Sequence, residues 1–351
     1  MYTYDIDPQA MFTDRMQQFE KFGIPRTDIE QVRTAVDDMW ANGPGGWVHE
    51  WSKLAQKYAE AGEHATAATA YGFAKFPCLN QESRRIAMDN QLAQYELAAK
   101  KFPVAFERRV IELPYRDSHI AMPVHLYSAD GEYRSRPMLI ASGGVDTFKM
   151  DFHPWCLAFT MAAGVSTLAF DFPGTGECTA PLDEHADEII RGLVSYARSL
   201  GDGRVAHFGM SFGGNFSAMS GLSEIVDAAI DLGGPVVGAF EPDHAAALPY
   251  GMHDIIGNAM HRDHSPTLDE LSKGLQALSR SALLAQRRNS PMLVINGADD
   301  YFVPQSDTMV FDGRPCTEVH LVPDSGHVAM SRAAEIVPLI TGWLHQQFLA
   351  G

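Results

Sequence analysis

Ser211 stands at the centre of a Gly-x-Ser-x-Gly pentapeptide, with Gly209 and Gly213 two positions to either side. The pentapeptide follows an apolar run, 204–208, that is typical of a buried strand, and small residues suited to a closely packed helix come after it. A serine at such a strand-to-helix turn adopts strained backbone geometry, and larger flanking residues would collide. The pattern therefore predicts that the Ser211 hydroxyl projects from the sheet as a nucleophile.

A serine hydroxyl is a poor nucleophile until a base accepts its proton, and that base needs a carboxylate to orient it. The adjacent pair Asp299 and Asp300 comes after the apolar run 292–295, and His327 lies in a glycine-containing loop after the last predicted strand. Only one of the two aspartates can point from the strand end toward His327. The order Ser, Asp, His is one of the known orders of a catalytic triad, so we predict that Ser211 and His327 act with one of these aspartates.

An acyl-transfer reaction also needs backbone N–H groups that stabilise the developing oxyanion. Phe212, the residue after the candidate nucleophile, is expected to supply one of them. The second is expected from the turn 142–146 after the third predicted strand, where glycines permit a close approach of the backbone. Gly144 and Val145 are the two candidates for that donor, and the sequence leaves the choice between them open.

Three further side chains are candidates for contact with a substrate. Glu177 ends the turn 171–177, which has neither a Gly-Lys-Ser/Thr step nor a complete Gly-x-Gly-x-x-Gly pattern and is therefore a poor match for a nucleotide site. Trp155 and Tyr58 carry aromatic rings that could stack on a flat substrate, with packing in a core as the alternative use of both. The sequence thus predicts a small-molecule acyl substrate.

Composition argues against several other classes of function. The 351 residues carry a formal net charge of −17, which would repel nucleic acid and anionic membrane surfaces. The four cysteines are scattered without a Cys-x-x-Cys pair, so neither a zinc site nor a disulfide scaffold is predicted. Residues 1–12 lack the basic and apolar regions of a secretory signal. We therefore expect a cytoplasmic enzyme without a metal or organic cofactor.

The elements that must position these residues divide the chain in two. Residues 1–103 read as a helical domain, with helices predicted over 10–22, 28–39, 46–61, 64–76 and 81–100. Residues 104–351 alternate short β-branched or aromatic runs with helical stretches, as in a largely parallel α/β sheet. Strands are predicted over 105–113, 120–127, 138–141, 166–170, 205–208, 228–232, 292–295 and 318–322.

A long stretch between the sixth and seventh predicted strands, about 236–289, returns to helical texture, with helices predicted over 254–261 and 268–286. An insertion at this point would stand over the carboxyl ends of the strands, where ligands bind in open α/β sheets. We therefore interpret it as a lid. The helical domain is expected to contribute to the substrate pocket, and its exposed face favours a homodimer.

The motifs together resemble the α/β-hydrolase superfamily across residues 103–351. The turn at 142–149, the extended elbow at 209–215 and the helical unit with Trp47 and Trp51 are similar, more narrowly, to the FrsA-like esterase group. The resemblance implies an α/β-hydrolase fold with an eight-stranded, mostly parallel sheet. The spacing from Asp300 to Pro304, Asp-x-x-Val-Pro, is common in the acid loop of the superfamily and favours Asp300 over Asp299.

The same resemblance implies a serine hydrolase that separates an acyl carbon from an oxygen or carbon leaving group. Hydrolysis of a C–C bond in a polyketide or aromatic β-diketone and hydrolysis of a carboxylic ester need the same parts. Acyl transfer, cyclisation or non-hydrolytic binding on the same scaffold are the alternatives. The sequence leaves the identity of the substrate open.

Overall fold

The computed structural model describes residues 1–349, which form two compact units. The helical unit comprises Met1–Phe102 together with Pro249–Pro266, and the sheet unit comprises Pro103–Leu248 together with the chain from Thr267 onward. The helices of the first unit are α1 (Pro8–Lys21), α2 (Arg26–Ala35), α3 (Trp47–Glu60), α4 (His64–Lys75) and α5 (Glu82–Ala99).

The helical unit has its own core of aromatic side chains. Trp47 and Trp51 are fully buried, and the Phe12 and Phe19 rings pack against both indoles. The Trp47 indole N–H donates to the Phe73 carbonyl oxygen at 2.8 Å, which satisfies the polar edge of this buried ring. Burial of large apolar surfaces of this kind is the main stabilising contribution to such a unit.

Helix α2 ends at Ala35, four residues before the predicted end at residue 39. The Asp37 and Asp38 N–H groups both donate to the Gly45 carbonyl oxygen, at 2.9 and 3.2 Å. Gly45 has a φ of +86°, which the turn requires and which glycine adopts without strain. The prediction was wrong here because the backbone N–H groups from Asp37 onward bond to the turn at Gly45 in place of the preceding helical turn.

Across the described residues, the sheet unit is built on one eight-stranded sheet in the order β1-β2-β4-β3-β5-β6-β7-β8. Strand β2 is antiparallel to both neighbours, and all other pairs are parallel. Strands β3 to β7 are buried along their whole lengths, as expected for a parallel sheet covered on both faces. The predicted mostly parallel sheet and each of its strands are confirmed. The strands are β1 (Ala105–Tyr115), β2 (Ser118–Ser128), β3 (Met138–Ser142), β4 (Ser166–Ala169), β5 (Val205–Met210), β6 (Ala228–Leu232), β7 (Met292–Gly297) and β8 (Thr317–Val322).

Helices follow the strands in the α/β pattern. They are α6 (His153–Ala162), α7 (Ala186–Leu200), α8 (Phe212–Leu222), α9 (Pro242–Ala246), α10 (Met252–Ala259), α11 (Leu268–Gln276), α12 (Ser281–Leu284), α13 (Gln305–Met309) and α14 (Ala333–Leu349). Helices α6 and α14 contact each other, and so do α7 and α8, in two layers against the strands. No helix within residues 1–349 is long and apolar enough to cross a membrane.

The stretch interpreted as a lid divides between the two units. Pro249–Pro266, which includes α10, belongs to the helical unit, whereas the flanking residues belong to the sheet unit. The helix predicted over 268–286 is broken between α11 and α12. The Arg280 N–H donates to the Val236 carbonyl oxygen at 2.9 Å, and the Leu278 carbonyl oxygen accepts from the Asn215 side chain at 3.1 Å. These tertiary hydrogen bonds take the place of a continuous helix.

Candidate active site

Ser211 connects β5 to α8 in a strained conformation, with φ 55° and ψ −128°. A Cβ atom on Gly209 would overlap the Gly213 carbonyl oxygen, and one on Gly213 would overlap the Gly143 carbonyl oxygen. The flanking glycines are therefore required by the tightness of the turn. The positive φ of a residue other than glycine is a local strain of the kind found at functional sites.

The structure brings Ser211, His327 and Asp300 into one hydrogen-bonded chain. His327 Nε2 is 2.7 Å from Ser211 Oγ, and His327 Nδ1 is 2.7 Å from Asp300 Oδ2. An ionised carboxylate can only accept a hydrogen bond, so Nδ1 must donate to Asp300. This fixes Nε2 as the acceptor that faces the Ser211 hydroxyl, which is the arrangement a general base requires.

The Asp300 side chain is fully buried, and three donors surround it. In addition to His327, its carboxylate accepts from the Asn296 amide at 2.9 Å and from the Phe302 N–H at 2.8 Å. Burial raises the pKa of Asp300, but the His327 imidazole and these hydrogen bonds lower it by more, so that the pKa lies below its ordinary value. Asp299 is exposed, and its N–H donates to the Ser325 carbonyl oxygen. Asp300, and not Asp299, therefore lies beside the imidazole.

Asn296 is a residue that sequence reasoning missed. It is fully buried at the end of β7, and its side-chain oxygen accepts from the Gly297 N–H at 2.9 Å and the Val328 N–H at 3.1 Å. Its amide group donates to Asp300 Oδ2. Asn296 thus ties the loop that carries Asp300 to the residue that follows His327. The available signal was a polar side chain at the end of an apolar strand.

The predicted oxyanion donors lie on two sides of Ser211. Phe212 is the first residue of α8, so its N–H has no acceptor within the helix. A Cβ atom on Gly144 would lie 2.9 Å from Ser211 Cβ and 3.1 Å from Ser211 Oγ, which places the backbone of this turn directly against the hydroxyl. Val145, the next residue, is buried. The donor roles of Phe212 and of Gly144 or Val145 stay predictions.

The three residues predicted to contact substrate each pack within the protein. Trp155 is buried on α6, where its indole stacks on the Phe208 ring at 5.9 Å between centroids. Glu177 forms ion pairs with other side chains of the sheet unit. The Tyr58 hydroxyl donates to Asp28 in the helical unit. A contact with substrate stays a prediction for these residues, and the structure gives each of them a contact within the protein.

The family of the chain follows from a match that covers most of its length. A model of the FrsA-like esterases matches residues 26–315. The chain belongs to this family. Esterase FrsA from Photobacterium profundum is 26% identical over 312 residues, which are 82% of this chain and 72% of that relative. Esterase FrsA from an Enterobacter species is 25% identical over 311 residues, 81% of this chain and 71% of the relative.

Solved structures show the same fold as this FrsA-like chain. A 2,6-dihydroxy-pseudo-oxynicotine hydrolase has a TM-score of 0.77 at 21% identity, with 95% of this chain and 96% of that chain covered. Wild-type AbyA5 has a TM-score of 0.77 at 19% identity, with 95% and 98% covered. These structures show that the FrsA-like chain has the α/β-hydrolase fold. The family match, and not these structures, makes it an enzyme of the esterase kind.

In the FrsA-like enzyme, aromatic side chains of the sheet unit pack against His327 and against Phe212, the residue after the candidate nucleophile. The Phe302 ring meets the His327 imidazole edge-on at 5.2 Å between centroids. The Phe212 ring stacks on Phe172 at 5.7 Å and is tilted against Phe240 at 6.1 Å. Apolar surroundings exclude water and strengthen electrostatic interactions with a developing charge. Within residues 1–349, no group of three or more His, Cys, Asp or Glu side chains is placed to hold a metal ion.

One buried carboxylate binds much of the backbone that precedes Phe240. Asp307, at 1% exposure, accepts four backbone N–H groups from the turn that precedes Phe240. The donors are Val236 at 2.8 Å, Val237 at 3.2 Å, Gly238 at 2.5 Å and Ala239 at 3.1 Å. Asp307 therefore fixes the start of the stretch after β6, a role that sequence reasoning missed.

Proposed function

We propose that this FrsA-like enzyme is a serine hydrolase that forms an acyl-enzyme on Ser211. The observation that carries the proposal is the hydrogen-bonded chain from Ser211 through His327 to the buried Asp300, with 2.7 Å at both steps. The strained elbow that holds Ser211 and the close approach of Gly144 support it. The proposed reaction uses side chains and backbone alone.

In the proposed first step, His327 Nε2 accepts the Ser211 proton while Ser211 Oγ attacks the acyl carbon. The oxygen of the carbonyl group becomes negative, and the N–H groups of Phe212 and of the Gly144–Val145 turn stabilise it. Asp300 stabilises the imidazolium cation that forms on His327. His327 then donates its proton to the leaving group, and a water molecule, activated by the same imidazole, releases the acid.

The proposed substrate is a small or medium acyl compound with an apolar or aromatic group. The rings of Phe172, Phe212, Phe240 and Phe302 support this choice, because aromatic side chains pack well on flat apolar groups. An ester is the first candidate, in keeping with the family. Hydrolysis of an aromatic or polyketide β-diketone is the second, because the same nucleophile and base can act on a ketone carbonyl as well as on an ester carbonyl. In that case an enolate leaves, and His327 returns the proton to it.

The proposal is tested with a fluorescently tagged alkyl phosphonate and with a substrate panel. The phosphonate should label wild-type enzyme on Ser211, and Ser211→Ala should abolish both labelling and turnover. Ser199→Ala, which changes an exposed serine of α7, is the matched control and should leave both unchanged. Parallel rates on p-nitrophenyl esters and aromatic β-diketones distinguish the two substrate classes. Turnover by a folded Ser211→Ala variant would exclude the acyl-enzyme mechanism.

A further inference from the structure

Lys149 is a buried cation at the end of the turn that approaches Ser211. Its side chain is fully buried, and both its main-chain N–H and its ammonium group are bound by one carboxylate. The N–H donates to Asp171 Oδ1 at 2.7 Å, and Nζ donates to Asp171 Oδ2 at 2.5 Å. A buried lysine is costly unless it is paired, so this placement requires the charges around it.

A second carboxylate completes the pairing. Lys149 Nζ lies 2.8 Å from Glu177 Oε2, and the other oxygen of Glu177 accepts from Arg108 on β1 at 2.6 Å. The two cations and two carboxylates balance to a net charge of zero. Burial lowers the pKa of Lys149, but Asp171 and Glu177 raise it by more, so the net shift keeps the ammonium group charged.

Both carboxylates come from the loop after β4. The Glu177 N–H donates to Asp171 Oδ2 at 3.0 Å, and a Cβ atom on Gly176, which has a φ of +49°, would overlap the Asp171 carboxylate. The loop after β4 therefore closes tightly around the carboxylate that holds Lys149. The turn after β3 is thus fixed to a neighbouring loop as well as to its own strand.

The turn itself is too compact to absorb a change at Lys149. At its start, the Gly143 carbonyl oxygen accepts from the Gly213 N–H at 3.1 Å, which ties it to the elbow. A Cβ atom on Gly143 would overlap the Thr147 carbonyl oxygen, and the Thr147 N–H donates to the Gly144 carbonyl oxygen at 3.3 Å. Gly144 therefore lies between two anchors, the elbow on one side and Lys149 on the other.

We propose that Lys149 is a positioning residue for oxyanion stabilisation, which holds the Gly144–Val145 backbone against Ser211 through its bonds to Asp171 and Glu177. This inference rests on the proposed acyl-enzyme mechanism. Lys149 does not touch the reacting atoms. Its loss would move backbone donors whose contribution is made in the transition state, so it should lower kcat with little change in KM.

The test compares Lys149→Met and Glu177→Gln with the control Glu107→Gln. Glu107 pairs with Arg109 on β1, at a distance of 2.5 Å, and its substitution removes the same kind of charge from a different Glu–Arg pair of that strand. Rates on a p-nitrophenyl ester are divided by the folded fraction from the calorimetric unfolding enthalpy. We expect kcat to fall about 10–100-fold for Lys149→Met and about 3–10-fold for Glu177→Gln, with KM within about threefold. Glu107→Gln should match wild type.

A second measurement separates positioning from general structural damage. In a trifluoromethyl ketone complex, Ser211 Oγ bonds to the ketone carbon, the carbonyl π electrons become an oxyanion, and the serine proton passes to His327. The affinity for this ketone should fall by the same factor as kcat, whereas affinity for the neutral parent alcohol should not change. If Lys149→Met does not fold, Glu177→Gln decides. An unchanged kcat, or a reduced kcat with unchanged ketone affinity, would overturn the inference.

The proposed function and this inference fail in different ways. Wild-type enzyme that turns over the ester, together with an inactive Ser211→Ala variant, supports the proposed function whatever Lys149 does. Wild-type enzyme that is not labelled at Ser211 removes the proposed function and the inference with it. If turnover depends on Ser211 but Lys149→Met and Glu177→Gln both retain the wild-type rate, the inference about Lys149 is wrong and the proposed function still stands.

Discussion

Asp300→Asn is the substitution whose effect the geometry determines most directly. Asp300 accepts hydrogen bonds at both oxygens, with Phe302 N–H at Oδ1 and both Asn296 Nδ2 and His327 Nδ1 at Oδ2. An asparagine has only one acceptor oxygen. If that oxygen serves Phe302, the new NH₂ group faces two other donors; if it serves His327 and Asn296, the NH₂ group faces the Phe302 N–H.

The first orientation leaves Asn296 facing a donor, but His327 can adapt to it. Its imidazole can move the proton from Nδ1 to Nε2, so that Nδ1 accepts from the new amide. Nε2 then carries a proton and can no longer accept the Ser211 hydroxyl, 2.7 Å away. The loss of a correctly oriented base costs about 10³–10⁴-fold in rate. In the second orientation His327 keeps its tautomer, but the neutral amide no longer stabilises the imidazolium cation, so the rate falls there as well. The free energy of unfolding should fall by no more than about 1–3 kcal/mol, the cost of one buried donor without a partner.

The assay is kcat/KM on a p-nitrophenyl ester, with the unfolding midpoint in urea measured on the same samples. Asp299→Asn is the matched control, because it changes the adjacent, exposed aspartate and should retain activity within about twofold. A folded Asp300→Asn enzyme that keeps more than about a tenth of wild-type kcat/KM would refute the reasoning. Loss of activity in Asp299→Asn with retention in Asp300→Asn would show that Asp299, and not Asp300, is the acid of the site.

Other substitutions probe separate parts of the site. Gly144→Ala places a methyl group 2.9 Å from Ser211 Cβ, so the turn must shift. We expect kcat for ester hydrolysis to fall about 10–100-fold, together with a lower midpoint of unfolding in urea. Burial raises the pKa of Asp231 to about 8, so the folded state holds a proton that the unfolded state loses near pH 4. The contribution of Asp231 to the free energy of unfolding is thus fully present below pH 4 and is lost as the pH rises to about 8, by up to about 1.4 kcal/mol per pH unit. In urea unfolding across that range, Asp231→Asn should lack this slope. Arg280→Met removes the buried cation paired with the partly exposed Asp187 and should lower the free energy of unfolding by about 2 kcal/mol in urea titrations, whereas equal stability would show that the pair is dispensable.

The sheet and the elbow could be predicted from the sequence because local patterns determine them. Strands β3 to β7 are buried on both faces, so each one reads as a continuous apolar run. The glycines at 209 and 213 are demanded by contacts within a few residues of Ser211 or with the adjacent strand. A motif that is required by contacts so close to it can be identified without knowledge of the rest of the fold.

The remaining parts could not be predicted, because they depend on partners far along the chain. The helix breaks before α12 because the residues around Arg280 bond to other parts of the chain. The Arg280 side chain itself pairs with Asp187, 93 residues earlier. From the sequence alone, Lys149 would be expected at the surface. The pairing of β3 with β4 brings Asp171 beside it. The Tyr58 hydroxyl donates to Asp28, 30 residues away, which is another pairing between distant parts of the chain. Periodicity carries no information on such pairs.

Two buried carboxylates at the ends of adjacent strands show how environment separates their roles. Asp231 lies on β6 with the Gly234 N–H as its hydrogen-bond donor and with Asp307 as a like charge, and burial raises its pKa to about 8. Asp300 follows β7 with three donors, one of them the imidazole, and its pKa is lowered. A neutral carboxylic acid could not stabilise an imidazolium cation, whereas an ionised one can. The number and charge of the hydrogen-bond donors, more than burial, therefore determine the charge that each of these two aspartates carries.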